Sequence, residues 1–419
     1  MHEFYAGYGE SEITPPLGVE LCGYGYYLGR RAERVQDPLK ARAVCLSTEK
    51  DSVILVSCDL IGLTVQWTDA LRKKISDEYG LPFENVMLSC THTHTGPATM
   101  PLEGCGEPAP ESYMEKLPGL IMEAVRKARD DRKKAALRSM CEAIAPFGYN
   151  RRNRTFEPID PALKVLALER EDRKIYVVNF ACHAVTLGPR PEISADWPGA
   201  VAAAFERRGE QCLVFQGFCG DIDPVCHLNS WGKGTPETLR VYGEMVRQQA
   251  SLAEGHAVKD EEIRLLGRET RIKLPLEVFD IGRICAEKEK LLTREKGRPE
   301  HERIIRKWAA MAEEKQAVMQ MSPWVDNFPV QVVTIGKLSM LGLPGEVFCE
   351  YALKLKQTCP GLFTIGYAGG NVGYLPVAGA YAKQDDYACY AAPKIYQVFP
   401  FKPGVEEIIL DACRTLLVE

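Results

Sequence analysis

The chain has 419 residues, enough for one large or two ordinary domains, and its 46% hydrophobic and 26% charged content is that of a soluble globular protein. A formal net charge of −5 gives no electrostatic footprint for nucleic acid or an anionic membrane. The first residues lack the basic start and apolar core of a secretory signal, and no apolar run approaches the roughly 18 residues that span a bilayer, so a cytoplasmic protein is expected.

In chain order, residues 41–47 and 52–59 are apolar runs split by the charged turn Glu49-Lys50-Asp51, and read as a hairpin or two core strands. Residues 68–79 have helical spacing and a capping-type start. Residues 86–90 form the next strand and lead into Cys90-Thr91-His92-Thr93-His94-Thr95-Gly96-Pro97. Residues 111–132 read as a long amphipathic helix and 135–145 as a strand, followed by the basic loop Tyr149-Asn150-Arg151-Arg152-Asn153-Arg154. A second strand pair, 163–170 and 174–180, runs into Ala181-Cys182-His183. A helix begins near Asp196-Trp197-Pro198, a strand occupies 212–218, and 236–254 is helical behind Thr235. Residues 262–276 read as a strand, and 280–321 as a charged helical hairpin broken at Gly297-Arg298-Pro299. A third strand pair, 328–335 and 338–343, leads to Pro344-Gly345-Glu346, a helix to 356, a strand at 362–367 and a C-terminal helix at 405–417. There is no internal sequence repeat and no clear linker. The fold class expected is mixed α/β, with large mixed sheets flanked by helices, in one catalytic domain over 1–419 that carries the 280–321 hairpin as an insertion. The Gly- and Tyr-rich segments 23–30 and 374–390 are expected to line the pocket. Fifteen scattered cysteines, an odd number without a Cys-x-x-Cys pair, read as reduced core thiols.

Several strand ends carry a polar residue: Asp59, His92 and His94, His183, Asp221 and Asp223, Glu346, and Tyr374. Sites in α/β architectures gather outside strand ends. Residues two apart in an extended chain share a face, so His92 and His94 would leave their strand side by side. Two histidines and one glutamate form a common catalytic zinc set with a position open to water. Each residue alone has a plainer explanation: His183 as a core-edge histidine, Glu346 as an acid favouring a helix N-terminus, Tyr374 as packing. Their joint occurrence at strand ends points to a metal.

In their order, Ser11-Glu12-Ile13-Thr14-Pro15-Pro16, the His92/His94 segment, Tyr149-Asn150-Arg151, Phe180-Ala181-Cys182-His183, Gly220-Asp221-Ile222-Asp223-Pro224, Leu343-Pro344-Gly345-Glu346 and Gly373-Tyr374-Leu375-Pro376 resemble the neutral/alkaline ceramidase family, over about residues 5–395. That family comprises zinc-dependent amidases that cleave the N-acyl linkage of ceramide. The resemblance implies Zn2+ as cofactor, with His92, His183, Glu346 and Tyr374 as ligands. It implies that His94 and Tyr387 orient substrate or stabilise an oxyanion, and that Arg151 contacts a substrate oxygen. Three departures stand out. Asp223 occupies the position of a family serine with a catalytic role, the chain has no room for the family's C-terminal immunoglobulin-like domain, and no export signal is present.

The expectation is a zinc-dependent hydrolase of an amide or related acyl bond, with His94 or Asp223 taking a proton and Arg151 and Tyr387 holding the oxyanion. Its substrate would be a small molecule, N-acyl or lipid-like, yet other than ceramide. Two alternatives are a metal-dependent lyase or isomerase acting on a polar, sugar-like substrate, and a non-catalytic scaffold.

Overall fold

In the computed structural model, which describes residues 3–25, 29–253, 258–259, 263–383 and 385–418, the three apolar hairpins recur in one and the same context. The first belongs to a unit made of β1 (Tyr5–Glu12), β2 (Lys40–Ser47), β3 (Ser52–Cys58), α1 (Val65–Tyr79) and β4 (Val86–Cys90), closed by α2 (Glu111–Asp130). Strands β1 to β3 form an antiparallel meander, and β4 returns parallel to β3. The second unit repeats these pairings with β5 (Lys133–Ala143), β6 (Ala162–Arg170), β7 (Lys174–Phe180), α3 (Asp196–Glu206) and β8 (Gln211–Gln216), closed by α4 (Pro236–Ala253). The third has β9 (Leu265–Pro275), then the predicted helical hairpin as α5 (Ile281–Arg294) and α6 (Pro299–Met321), then β10 (Trp324–Ile335), β11 (Leu338–Gly342), α7 (Cys349–Lys356) and β12 (Phe363–Ile365), closed by α8 (Val405–Val418). The sequence shows no repeat because the units share topology and burial, not residues.

Antiparallel contacts of Tyr5 with Lys134 and Ala6 with Lys133 join the first two units edge to edge. The resulting nine-stranded sheet runs β8-β7-β6-β5-β1-β2-β3-β4, with Val258–Lys259 added on β5, and the third unit forms a four-stranded sheet β9-β10-β11-β12. The two sheets face each other. Val44, Leu46, Val53, Leu55, Leu166 and Val177 of the large sheet meet Val333, Ile335, Met340 and Phe363 of the small one. The intervening residues point outward, Cys45 and Ile54 to Ile121 and Val125 of α2, Val165 and Val178 to Trp197 and Phe205 of α3. On the small sheet Val330 and Leu341 meet Tyr351 and Ile409 of α7 and α8. The layering is therefore helix, sheet, sheet, helix. Strands buried on both faces read as unbroken apolar runs, and each fully buried aliphatic side chain contributes roughly 1.5–3 kcal/mol.

Some expectations need correction. Helix α1 starts before residue 68, because Thr64 caps it by accepting from the Trp67 N–H at 3.2 Å. The helix expected from residue 346 begins at Cys349, because Glu346–Val347 pairs in parallel with Tyr374–Leu375. Glu346 is thus held by a ribbon and is not a helix-terminal acid. Residue 262 of the expected 262–276 strand lies outside the described residues, as do 26–28 of the Gly/Tyr segment. No helix among the described residues is long and apolar enough to cross a membrane. All fifteen cysteines are free thiols.

Candidate metal centre

The parallel strand pairs of the three units end near one another, and the polar residues following them converge. His92 comes after the fourth strand of its unit, and its Nδ1–H donates to the carbonyl of Ile61, which follows the third strand, at 2.5 Å. His183 mirrors this: it comes after the third strand, and its Nδ1–H donates to the carbonyl of Cys219, which follows the fourth, at 2.7 Å. A carbonyl can only accept, so both rings carry a proton on Nδ1 and turn Nε2 towards the centre of the site. Those nitrogens face Oε2 of Glu346 from the third unit, at 3.5 Å for His92 and 3.2 Å for His183. The Glu346 Oε1 accepts from the Tyr396 hydroxyl at 2.5 Å. Among the described residues, ligand nitrogens of His92, His94 and His183 lie within 4.8 Å of one another, a grouping able to hold a metal ion.

His94 differs from its two neighbours. Its Nδ1 accepts from the backbone N–H of Tyr24 at 3.0 Å, so the neutral ring carries its proton on Nε2. No described residue accepts that proton. The contact requires Gly23, where a Cβ would come within 2.5 Å of the His94 ring. His92 adopts a left-handed backbone at φ 61°, and Tyr367, at φ 55°, stacks on it with ring centroids 4.2 Å apart. Such conformations cost of order 1–3 kcal/mol each and cluster at functional sites.

Burial lowers the basicity of His92, and it holds His94 well below the usual imidazole range, with His92 and His183 beside it. Burial also works against ionising Glu346, yet His92 and His183 hold its carboxyl well below the usual carboxylate range. His183 is raised to about 10 against burial and the charge of Arg151, through its bonds to Cys219 and Glu346. A buried carboxylate between two imidazole nitrogens needs a positive charge among them, from a proton or from a cation.

This cluster forms the floor of a cavity of about 490 Å³. Tyr374 lines it beside Glu346, and its hydroxyl accepts from Arg151 Nη2 at 2.7 Å. Burial pushes the Tyr374 phenol well up and Glu346 adds to this, against the charge of Arg151. Arg151 also donates to the Gly220 carbonyl at 2.7 Å and pairs with Asp223 at 3.2 Å. Tyr387, 43% exposed, stands edge-on to Tyr374 at the cavity wall. The structure thus brings together on one cavity all of the predicted site residues His92, His94, Arg151, Asp223, Glu346, Tyr374 and Tyr387, with His183 bonded beneath them. Asp59 is elsewhere, in a buried ion pair with Arg42 at 2.7 Å. Asp221 is likewise internal, accepting from Asn150 and from the Cys349 N–H. Gly23, Tyr24 and Gly25 line the cavity as expected of their segment, whereas Tyr381 and Tyr390 do not, and no residue of the 280–321 hairpin does. Tyr396 and Tyr367 carry no local signal in the sequence; each reaches the centre from a distant segment.

Residues 4–220, more than half of the chain, match the family described as neutral/alkaline non-lysosomal ceramidase, N-terminal. The chain belongs to this family. Neutral ceramidase from Pseudomonas aeruginosa has the same fold, with a TM-score of 0.75 and 18% identity over 99% of this chain and 75% of its own. A ceramidase complexed with C2 gives a TM-score of 0.75 at 15% identity, covering 100% of this chain and 76% of its own. All three units therefore lie within the ceramidase fold, although the sequence match ends before Asp223, Glu346 and Tyr374.

Proposed function

We propose that the chain is a zinc-dependent hydrolase that cleaves an amide or related acyl bond. The observation that carries this reading is the pair of Nε2 atoms, on His92 and His183, converging on the single carboxylate of Glu346. Buried imidazole nitrogens with a carboxylate suit zinc, and the His92 Nε2 takes no hydrogen bond from any described residue. His92, His183 and Glu346 would hold the ion, with the Tyr374 hydroxyl as fourth group. Bound there, zinc polarises a carbonyl as a Lewis acid and lowers the pKa of water towards about 7.

The remaining roles follow from proton positions. His94 is neutral with its proton on Nε2, so it donates to a substrate oxygen as negative charge develops; one such donor contributes roughly 10²–10³ in rate. Tyr387 supplies a second hydroxyl from the cavity wall. Arg151, fixed by Gly220, Asp223 and Tyr374, places positive charge beside the Tyr374 oxygen and the substrate. Of the two groups the sequence offers as proton acceptor, His94 is set as a donor, and Asp223 has one oxygen committed to Arg151. Arg152, Arg154, Lys383, Asp385 and Asp386 also wall the cavity, which favours a substrate more polar than ceramide, because alkyl chains would strip water from these groups. Fifteen free thiols favour a reducing compartment such as the cytoplasm.

Plasma mass spectrometry on wild type and His183→Ala tests the metal: about one zinc per chain is expected in the wild type and little in the variant. Equal contents in both would sink the metal reading. A panel of amides, esters and N-acyl amines then tests the chemistry, with hydrolysis expected from wild type and none from His92→Ala.

A further inference from the structure

Asp223 lies on the antiparallel ribbon of Ile222–Pro224 and Gly148–Asn150, opposite Tyr149, and both line the cavity. Directly opposed residues of such a ribbon point to the same side. The Asp223 Oδ1 accepts from Arg151 at 3.2 Å, whereas no described residue donates to its Oδ2. Only 5% of Asp223 is exposed, and its carboxylate borders the cavity. Trp231, 44% exposed, stands on the same cavity wall, edge-on to Tyr24 at 5.5 Å. Arg154 completes the wall, with its guanidinium bonded to the Leu228 carbonyl.

Three kinds of substrate group can be compared against this arrangement. An alkyl chain would dehydrate a carboxylate and leave Oδ2 without a donor. An ammonium group would bring a further cation to a wall that already holds Arg151 and Arg154. A hydroxyl group donates to Oδ2 without adding charge, and the carbon-bound face of a sugar ring or polyol packs against an indole. Resting on the hydrolase reading above, we propose that Asp223 accepts from a hydroxyl group of the substrate and Trp231 packs against the carbon-bound face beside it, the substrate being an amide of which one half is a sugar ring or polyol. In its hydrolysis the acyl C–N bond breaks, the oxygen of water bonds to the acyl carbon, and the amine leaves carrying a proton from that water.

The test uses zinc-loaded protein and three amides: N-hexanoyl glucosamine, N-hexyl gluconamide and N-hexyl hexanamide. At least one hydroxylated amide is expected to exceed the alkyl amide by about tenfold or more in kcat/KM, as a site built for hydroxyl groups requires. Asp223→Asn is expected to erase most of that preference through KM. Trp231→Ala, a truncation at a half-exposed position, is expected to reduce it several-fold. Equal turnover of the three amides by wild type, or a preference that survives both substitutions, overturns the proposal. So does an Asp223→Asn variant with kcat lowered equally on all three, which would make Asp223 a proton-transfer group. If wild type hydrolyses none of them, the hydrolase reading fails for this class, and calorimetric titration with the same amides decides the binding site separately. Binding of a hydroxylated amide that weakens about tenfold in Asp223→Asn supports it, and no binding, or equal binding, removes it.

Discussion

The strands that end at Cys58 and at Phe180 occupy the same place in two copies of one unit, and each is followed by a buried polar residue. Asp59, after the first, finds all its partners inside its own unit: Arg42, the Lys40 N–H at 3.0 Å and Thr91 at 3.3 Å. His183, after the second, takes a carbonyl from its own unit and then reaches Glu346 of another. A polar strand end whose partners are all local completes a structural ion pair. One that stops halfway, with an atom left to share across units, becomes part of a site.

Four experiments press on this contrast. Glu346→Gln removes the charge that all three units share, and zinc content is expected to fall from about one per chain to a small fraction in a folded protein, read by mass spectrometry with circular dichroism. Asp59→Ala leaves Arg42 buried and unpaired, so denaturant titration should show a loss of about 3–5 kcal/mol while the surviving folded protein keeps its metal stoichiometry. A loss of metal there with stability intact would show that the two strand ends are equivalent after all. Tyr396→Phe deletes the donor to Glu346 Oε1 and is expected to weaken zinc affinity by roughly 10–100-fold, measured by competition with a chelator, with little change in melting temperature.

The smallest effect concerns a cluster that spans two units without any cavity. Asp160 bonds Lys164 at 2.8 Å in the second unit and Lys356 in the third. Burial disfavours its charge, but the two lysines outweigh burial and lower its carboxyl from 3.8 to about 2. A depressed carboxylate contributes stability that is fully present above pH 3.8 and is lost as pH falls from there towards 2, roughly 2 kcal/mol in all. Acid titration of stability in wild type and Asp160→Asn should differ in that window, and parallel curves would remove the effect.

The hairpins, their paired apolar runs and the residues His92, His183 and Glu346 were legible in the sequence, because double-sided burial and strand-end polarity are local patterns. Glu346 was misread as helical, since the two-residue ribbon with Tyr374 depends on a partner 28 positions away. The threefold unit was hidden for a related reason: His183-bearing and Glu346-bearing strand ends share topology but no residues. Tyr396 and Tyr367 were invisible, as was the Tyr24 N–H that sets His94, because each acts through a contact between distant segments. Asp59 looked like a site residue because its type and position match those of one; Arg42, the partner that makes it structural, lies on the neighbouring strand.

The carbonyls of Ile61 and Cys219 have a consequence of their own. They orient His92 and His183 through main-chain atoms, which every residue possesses whatever its side chain. Substitution can therefore change the residues at positions 61 and 219 without removing the anchors, while the cavity wall at Asp223, Trp231 and Arg154 is made of side chains throughout. The orientation of the two rings is thus indifferent to which side chains stand at 61 and 219, while the wall depends on the identity of each residue that builds it.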